Sequence, residues 1–383
     1  MRRRIIASLV AIAGVTGLAL AEFSSVGSAA SPARAKAAAA YIPKIVDVGC
    51  TKTHNLNGKV VGMSFEVQLP LFSQLVSDVE KFAKLSGCGL SFKITNANGD
   101  PAKQVTDAQG LVTDKVNAVF TNVAESPGWQ VLGPLVKSNH TVWYNWSSVP
   151  EPDATAQATV WQAAAGALVA APACTWLKKH FNGKAEVAML VSLTDPGFQA
   201  RSNAFKKSLL KICPKAQFVA TGDGGFSSPS VAEHSTLNLI QAHPNLKMLF
   251  ADWDGAALGA VTAARESNKT DPTQFYIAST DGSTAQLQDM AKPGAVLQST
   301  GALLFRFDAG YVVRDVERLL LGQKVPLLRV LIPELVTTSN LKKFDKLINA
   351  PFSKGNESVY PKISKYFSFR YSNTNQLPIP AGL

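Results

Sequence analysis

Leu249-Phe250-Ala251-Asp252-Trp253-Asp254-Gly255-Ala256-Ala257-Leu258-Gly259-Ala260 holds the end of a strand, a turn and the start of a helix. Residues 247–251 are apolar after Lys247, the pattern of a strand buried on both faces of a parallel sheet. Asp254 then fits a helix start, and a small-residue helix follows. Far upstream, Gly99-Asp100-Pro101-Ala102-Lys103-Gln104 opens another helix in a similar way, with Pro101 in the first turn.

The rhythm runs outward from both stretches. Strands are expected at residues 59–65, 90–95, 118–121 and 141–144 in the first half. The helix at 71–85 between the first two carries Phe72, Leu75, Val79 and Phe82 at helical spacing. In the second half, 159–181 reads as one helix kinked at Pro172. Strands follow at 186–192, 217–221, 247–251, 275–278 and 295–299, then a helix at 307–321 and a strand at 328–335. Such alternation predicts an α/β fold of parallel sheets covered by helices on both faces. Ligands of these sheets bind beyond the carboxyl ends of the strands. Past Asn340 the alternation stops, and 341–383 reads as an extension over the surface.

The chain begins with Arg2, Arg3 and Arg4 and an uncharged apolar stretch over residues 5–21. Ala19 and Ala21 offer a cleavage pattern, and Ser28-Ala29-Ala30 offers a second, so residues 1–30 are expected to be an export signal. Residues 31–44 read as a flexible tether. The first cysteine is Cys50, too far on for lipid anchoring just behind the signal. The protein is expected to be exported to the periplasm or cell envelope and soluble after cleavage.

The formal charge is +11, and residues 1–35, with four Arg against Glu22, account for +3 of it, leaving +8. The remaining charge is scattered, with no basic run interleaved with aromatics, so no nucleic-acid partner is expected. Cys50, Cys88, Cys174 and Cys213 in an exported chain suggest two disulfides, for which three pairings exist. Cys88 and Cys213 each end an amphipathic helix just before a strand. Pairing Cys50 with Cys88 and Cys174 with Cys213 would staple corresponding ends of two similar lobes. There is no C-x-x-C, no zinc-protease helix around Glu233-His234, no G-x-S-x-G elbow and no phosphate-cradling glycine loop. Neither a metal, a cofactor nor a catalytic residue is expected, and a binder is expected rather than an enzyme.

In these pieces the chain resembles the periplasmic sugar-binding proteins of ABC importers, of the ribose-binding type. The matching residues are Gln68-Leu69-Pro70-Leu71-Phe72, Gly99 to Gln104, Phe198 to Phe205, His243-Pro244-Asn245 and Asp254 to Ala260. Asp281-Gly282 and Leu321-Gly322-Gln323-Lys324-Val325 complete the series. The resemblance implies two Rossmann-like lobes joined by a three-segment hinge, with crossings near 160, 300 and 325. The first lobe would comprise residues 45–160 plus 301–325, and the second 161–300 plus 326–340.

That resemblance also implies a ligand set. Phe72 stands at a stacking aromatic of the family, and Asn122 at a polar contact after the third strand. Asn145 and Trp146 occupy a position that is typically Asp-Arg. Gln199 or Arg201 would supply a contact usually made by Arg, Trp253 stands where Asn is common, and Asp281 retains a carboxylate. Phe72 also fits the core stripe of its helix, and Asp281 also fits a simple turn. With two polar groups replaced by tryptophan, the pocket is expected to be flatter and less charged than a ribose site. The implied partners are a small-molecule solute and an ABC permease in the membrane, with the binding protein itself a monomer. An adaptor presenting the solute to a membrane sensor, and an unrecognised secreted hydrolase, are the alternative functions.

Overall fold

The computed structural model describes residues 48–65, 70–122, 127–146, 151–193, 195–226, 228–303, 305–331, 333–348 and 366–368. The export signal and tether lie outside them. The first lobe starts with β1 (Val60–Phe65), whose residues from Val61 onward are all buried. α1 (Pro70–Ser86) lays Phe72, Leu75, Val79 and Phe82 into the core. β2 (Ser91–Asn96) is half exposed, as befits the edge of the sheet. α2 (Pro101–Thr113) is capped by Asp100, whose carboxylate accepts from the N–H groups of Ala102 at 2.9 Å and Lys103 at 3.1 Å. β3 (Ala118–Thr121), α3 (Leu132–Ser138), β4 (Val142–Trp146) and β5 (Ala156–Val160) follow.

The second lobe contains α4 (Gln162–Leu168), α5 (Ala170–Phe181), β6 (Glu186–Val191), α6 (Pro196–Ile212), β7 (Gln217–Asp223), α7 (Pro229–Ala242) and β8 (Leu246–Ala251). It continues through α8 (Asp254–Glu266), β9 (Tyr276–Asp281), α9 (Thr284–Met290) and β10 (Leu297–Ala302). The chain then returns to the first lobe with α10 (Phe305–Leu320) and β11 (Leu328–Leu331), and back to the second with β12 (Glu334–Thr337) and α11 (Leu341–Ile348). β13 (Tyr366–Ser368) closes the first sheet beside β11.

The two sheets have the orders β13-β11-β5-β4-β3-β1-β2 and β12-β10-β9-β8-β6-β7. The first five strands of each lobe therefore follow one winding, all parallel, and both reverse direction beside their first strand. A crevice opens at such a reversal, at the carboxyl ends of the strands. The antiparallel strands β12 and β13 lie at the sheet edges. No helix among the described residues is long and apolar enough to cross a membrane.

Three elements differ from the sequence expectation. The region 159–181 is not one kinked helix: Ala156–Val160 is a strand, and the helical part breaks at Val169. Alanine-rich Ala-Gln-Ala-Thr-Val has helical propensity, but pairing between β4 and β11 buries every one of its residues and overrides that preference. Pro172 falls in the first turn of α5, where its missing N–H leaves no helical bond unmade. The expected strand at 328–335 is two strands in different sheets, separated at Pro333, which cannot donate to a ladder. The third crossing thus runs from Leu331 to Glu334 rather than near 325. The region after Asn340 also contributes structure, a helix and the edge strand β13.

Cys50 is bonded to Cys88 and Cys174 to Cys213, one bridge in each lobe. The sequence separations are 38 and 39 residues, and closing loops of that size should stabilise by about 4 kcal/mol each in the chain-entropy model. Replacing both cysteines of either bridge by serine is expected to lower unfolding free energy by about 2–4 kcal/mol in urea titration. Equal midpoints for the variants and the parent would contradict a stabilising role.

Candidate ligand-binding site

Arg201 organises the carboxyl ends of β8 and β9 in the second lobe. It sits in α6, six residues past the N-cap Asp195, and is buried. Its Nε donates to Gln162 Oε1 at 2.6 Å. Its Nη1 reaches the carbonyl of Asp252 at 2.8 Å, Thr280 Oγ1 at 2.9 Å and Asp281 Oδ1 at 2.8 Å. Gln162 begins α4, so the first element after the first crossing is tied to the ends of β8 and β9 through one guanidinium. Two glycines make the approach of α4 feasible. A Cβ on Gly166 would lie 1.9 Å from the carbonyl oxygen of Arg201, and one on Gly301 would lie 2.1 Å from that of Ala165.

Asp281 ends β9 with φ of +81°, a conformation that a non-glycine residue holds only where its surroundings dictate it. Its two carboxylate oxygens are used separately: Oδ1 accepts from Arg201, and Oδ2 accepts from the N–H of Asp254 at 3.1 Å. A turn residue alone would need neither bond. Asp254 is the first residue of α8 rather than its cap, the cap position falling on Trp253. Burial, reinforced by the charge of Asp281, raises the Asp254 carboxyl to about 7. Burial also raises Asp252 to about 7, against the opposing hydrogen bond it accepts from the N–H of Ser192 at 2.5 Å.

Aromatic rings gather near the strand ends in both lobes. In the second, the Trp253 indole N–H donates to the carbonyl of Gly224 at 2.7 Å. Its ring lies so close over Gly255 that a Cβ there would meet it at 2.1 Å. Phe226 sits 5.9 Å from Trp253 and 5.2 Å from Phe198, and the Arg201 guanidinium stacks over Phe198 at 4.6 Å. In the first lobe, Trp146 at the end of β4 contacts Phe72 at 6.2 Å and Phe305 at 5.5 Å, both edge-on. Phe72, Trp146, Phe305, Phe198 and Trp253 belong to one contiguous cluster of buried side chains that extends through both lobes.

The remaining candidates have other surroundings. Asn122 follows β3 and donates through Nδ2 to the carbonyl of Trp146 at 3.2 Å. Asn145 lies within β4, is buried, and bonds Thr121 Oγ1 at 3.1 Å and Gln157 at 3.5 Å, which places it inside the sheet. Gln199 donates to the carbonyl of Leu193 at 2.5 Å, and Arg201, not Gln199, reaches Asp281. Sequence reading passed over Gln162, Thr280, Phe226 and Phe305, which only the fold brings to these ends.

It also passed over Asp308, in the first turn of α10 and fully buried. No hydrogen bond of ordinary geometry reaches its carboxyl oxygens or the Trp146 Nε1. Burial pushes this carboxyl well above the usual range, and the Trp146 indole N–H acts in the opposite direction. Asp308 and Asp315 fall on the stripe of Tyr311 and Val312, a placement of acids among apolar positions that is visible in the sequence.

Two α/β lobes with mostly parallel sheets, crossed three times by the chain and lined by aromatic and paired charged groups at the strand ends, are the architecture of a type I periplasmic binding protein. Residues 65–302 match the family described as periplasmic binding protein domain, more than half of the chain, and the chain belongs to that family. It is 28% identical over 213 residues to the ribose import binding protein RbsB of Bacillus subtilis (strain 168). That match covers 52% of this chain and spans 63% of the relative's length. Among solved structures, it is similar to a Mycobacterium smegmatis protein in complex with β-D-fucofuranose, with TM-score 0.69 and 15% identity over 82% of this chain and 100% of that one. It is also similar to the 5-methylthioribose transporter solute binding protein of Thermotoga lettingae TMO, with TM-score 0.67 and 19% identity over 81% and 94%.

The sign of the Asp308 effect is testable. An acid held above its unfolded value near 3.9 binds its proton more tightly in the folded state. Stability from this group is therefore present at low pH and is lost as pH rises past the unfolded value toward the folded one. Asp308→Asn should raise Tm at pH 8 by about 2 °C or more and change it less at pH 5, as read by thermal denaturation. An equal shift at both values would refute burial of an uncompensated carboxyl.

Proposed function

We propose that this protein is an exported solute-binding protein that captures a small sugar-like ligand between its lobes and delivers it to an ABC permease. The observation that carries this reading is the buried Arg201–Asp281 pair at the carboxyl ends of the second lobe's strands, flanked by Trp253 and Phe198. Sugars have apolar C–H faces and hydroxyl edges. Aromatic rings cover the first, and a guanidinium and a carboxylate held in fixed positions satisfy the second. Family membership and the sugar-import relative support the same reading.

The two sides of the site belong to separate lobes, and the chain passes between them at 160–162, 302–305 and 331–334. Those segments would serve as the hinge. Closure would bring Phe72 and Trp146 toward Arg201, Trp253 and Asp281, excluding water from the hydroxyl contacts and strengthening them. Asn122 would add a polar contact from the first lobe. Asn145 and Gln199 would act as supports of strand and loop. The protein would work as a monomer without a cofactor.

Small-angle scattering with a ligand found by thermal-shift screening of sugars and polyols should show a smaller radius of gyration on saturation. An unchanged radius with verified binding would count against closure. Intrinsic tryptophan fluorescence should change on binding. Trp253→Ala should weaken affinity by about 1–3 kcal/mol, as for loss of a buried aromatic contact. Asp281→Asn should weaken it as well by calorimetry, because the amide presents one acceptor where the carboxylate presents two. Wild-type affinity in both folded variants would move the site elsewhere.

A further inference from the structure

The outer face of α5 and α6 in the second lobe carries charge of one sign. The two helices lie on the same side of the sheet, since Trp176 and Leu177 of α5 and Phe205 and Leu209 of α6 pack into one core cluster with Val187 of β6 and Phe250 of β8. The Cys174–Cys213 bridge pins the end of α6 to α5. With those residues turned inward, Lys178 and Lys179 of α5 and Lys206, Lys207 and Lys211 of α6 stand exposed. Lys184 and Lys215, in the turns that follow the two helices, are exposed as well. The acids between residues 170 and 217 are Glu186 and Asp195, both half-buried, and Asp195 caps α6 at its opposite end. Three exposed lysines of the first lobe are paired instead, Lys93 with Asp114, Lys103 with Asp107 and Lys137 with Asp153. Among the described residues, none of the seven lysines on the second-lobe face forms an ion pair. Residues 36–383 carry a net +8, so these seven account for nearly all of it.

Gathering like charge destabilises the fold: Lys207 and Lys211 are four apart on one helix and repel. The helix dipole favours Lys178, Lys179 and Lys211, which lie in the last turns of their helices. It does not account for Lys206 and Lys207, more than a turn before the end of α6. The basic residues of this face are all lysines, since Arg201, the one arginine between residues 170 and 217, is buried. Lysine is a compact hydrated point charge suited to diffuse attraction, whereas pairing with a single phosphate or carboxylate favours the fork of arginine. The charges also spread over two adjacent helices and their turns, which matches a plane better than a single polymer strand. We propose that this face docks the exported protein on the anionic phospholipid surface of a membrane. Lys184 and Lys215 precede β6 and β7, so the face reaches the amino ends of those strands, opposite the carboxyl ends where Arg201 and Asp281 meet. A docked molecule therefore keeps its candidate ligand-binding end free. Attraction of this kind reaches about a Debye length, about 8 Å at physiological salt, and leaves the protein able to diffuse along the surface. The inference rests on export alone among the readings above, and not on the nature of the solute.

The test is co-sedimentation of the full chain with vesicles of phosphatidylcholine alone and of phosphatidylcholine with about 30% phosphatidylglycerol. The protein should bind the anionic vesicles at about 0.05 M salt, leave them at about 0.5 M, and ignore the neutral ones. A lysine near an anionic surface contributes about fivefold in affinity, so the triple variant Lys178→Gln, Lys179→Gln, Lys211→Gln should bind at least about tenfold more weakly. The triple variant Lys93→Gln, Lys103→Gln, Lys137→Gln removes the same charge from paired positions and should stay within about twofold of the parent. All six side chains are exposed, so both variants should keep the parent's Tm. Every protein compared has the same amino terminus, so any attraction from the export segment cancels. No binding to anionic vesicles at low salt would overturn the proposal, as would equal losses in the two triple variants, which would make net charge the cause. Binding to soluble polyglutamate but not to vesicles would overturn it too, in favour of an acidic polymer. The solute-binding reading stands or falls separately, on the Trp253 variant.

Discussion

A guanidinium is costly to bury unless every direction of its charge is met. Arg201 is buried in the second lobe, and the elements around it are arranged to meet that demand. α6 supplies the arginine, α4 the side-chain oxygen of Gln162, the residue after β8 the backbone oxygen of Asp252, and β9 both Thr280 and Asp281. Because α4 is the first element after the chain enters the lobe, Arg201 also fixes how the crossing segment docks. The contacts of Gly166 with α6 and of Gly301 with α4 are consequences of this geometry. A side chain at either would push α4 away and leave the arginine short of a partner.

The first lobe contains a comparable device at a different place. Asp315 of α10 holds Arg329 of β11 through both carboxylate oxygens and accepts from Tyr144 of β4 at 3.3 Å. All three residues are buried. Both α10 and β11 arrive after the chain has already built the second lobe, so this cluster attaches the returning segment to strands made much earlier. Breaking one partner would leave a charge uncompensated in the interior, a larger loss than the net value of the pair. Each lobe thus holds a buried arginine–carboxylate cluster, Arg201 with Asp281 in one and Asp315 with Arg314 and Arg329 in the other.

The duplication of winding accounts for the corresponding places of the candidate groups in the two sheets. Both sheets reverse direction beside their first strand, the point at which open α/β sheets take ligands beyond the carboxyl ends of their strands. The groups on the two sides are nevertheless different in kind. The second lobe combines the Arg201–Asp281 pair with Phe198, Phe226 and Trp253, and the first gathers Phe72 and Phe305 around Trp146. That division follows from which side chain ends each strand: Trp146 after β4 in one lobe, Asp252 and Asp281 at β8 and β9 in the other.

The sequence by itself determined the α/β class, the twofold repetition and most of the strands, because continuous apolar runs and helical stripes report burial directly. The placement of Trp253 and Asp281 at strand ends was readable for the same reason, as was the pairing of cysteines at corresponding places in the two lobes, whereas Arg201 was pointed to, with Gln199, by the family resemblance. The tertiary structure alone decided the rest. Ala156–Val160 became a strand only because β4 and β11 flank it, and no local signal in Ala-Gln-Ala-Thr-Val expresses that pairing. Asn145 turned inward because its neighbours Thr121 and Gln157 come from two other strands. Gln162, Phe226, Phe305 and Asp308 lie far apart in sequence from the residues they support, and only the crossings bring them together. Local periodicity encodes which residues are buried, whereas which buried residues meet is set by long-range strand order, and it is that order which brings the candidate residues together.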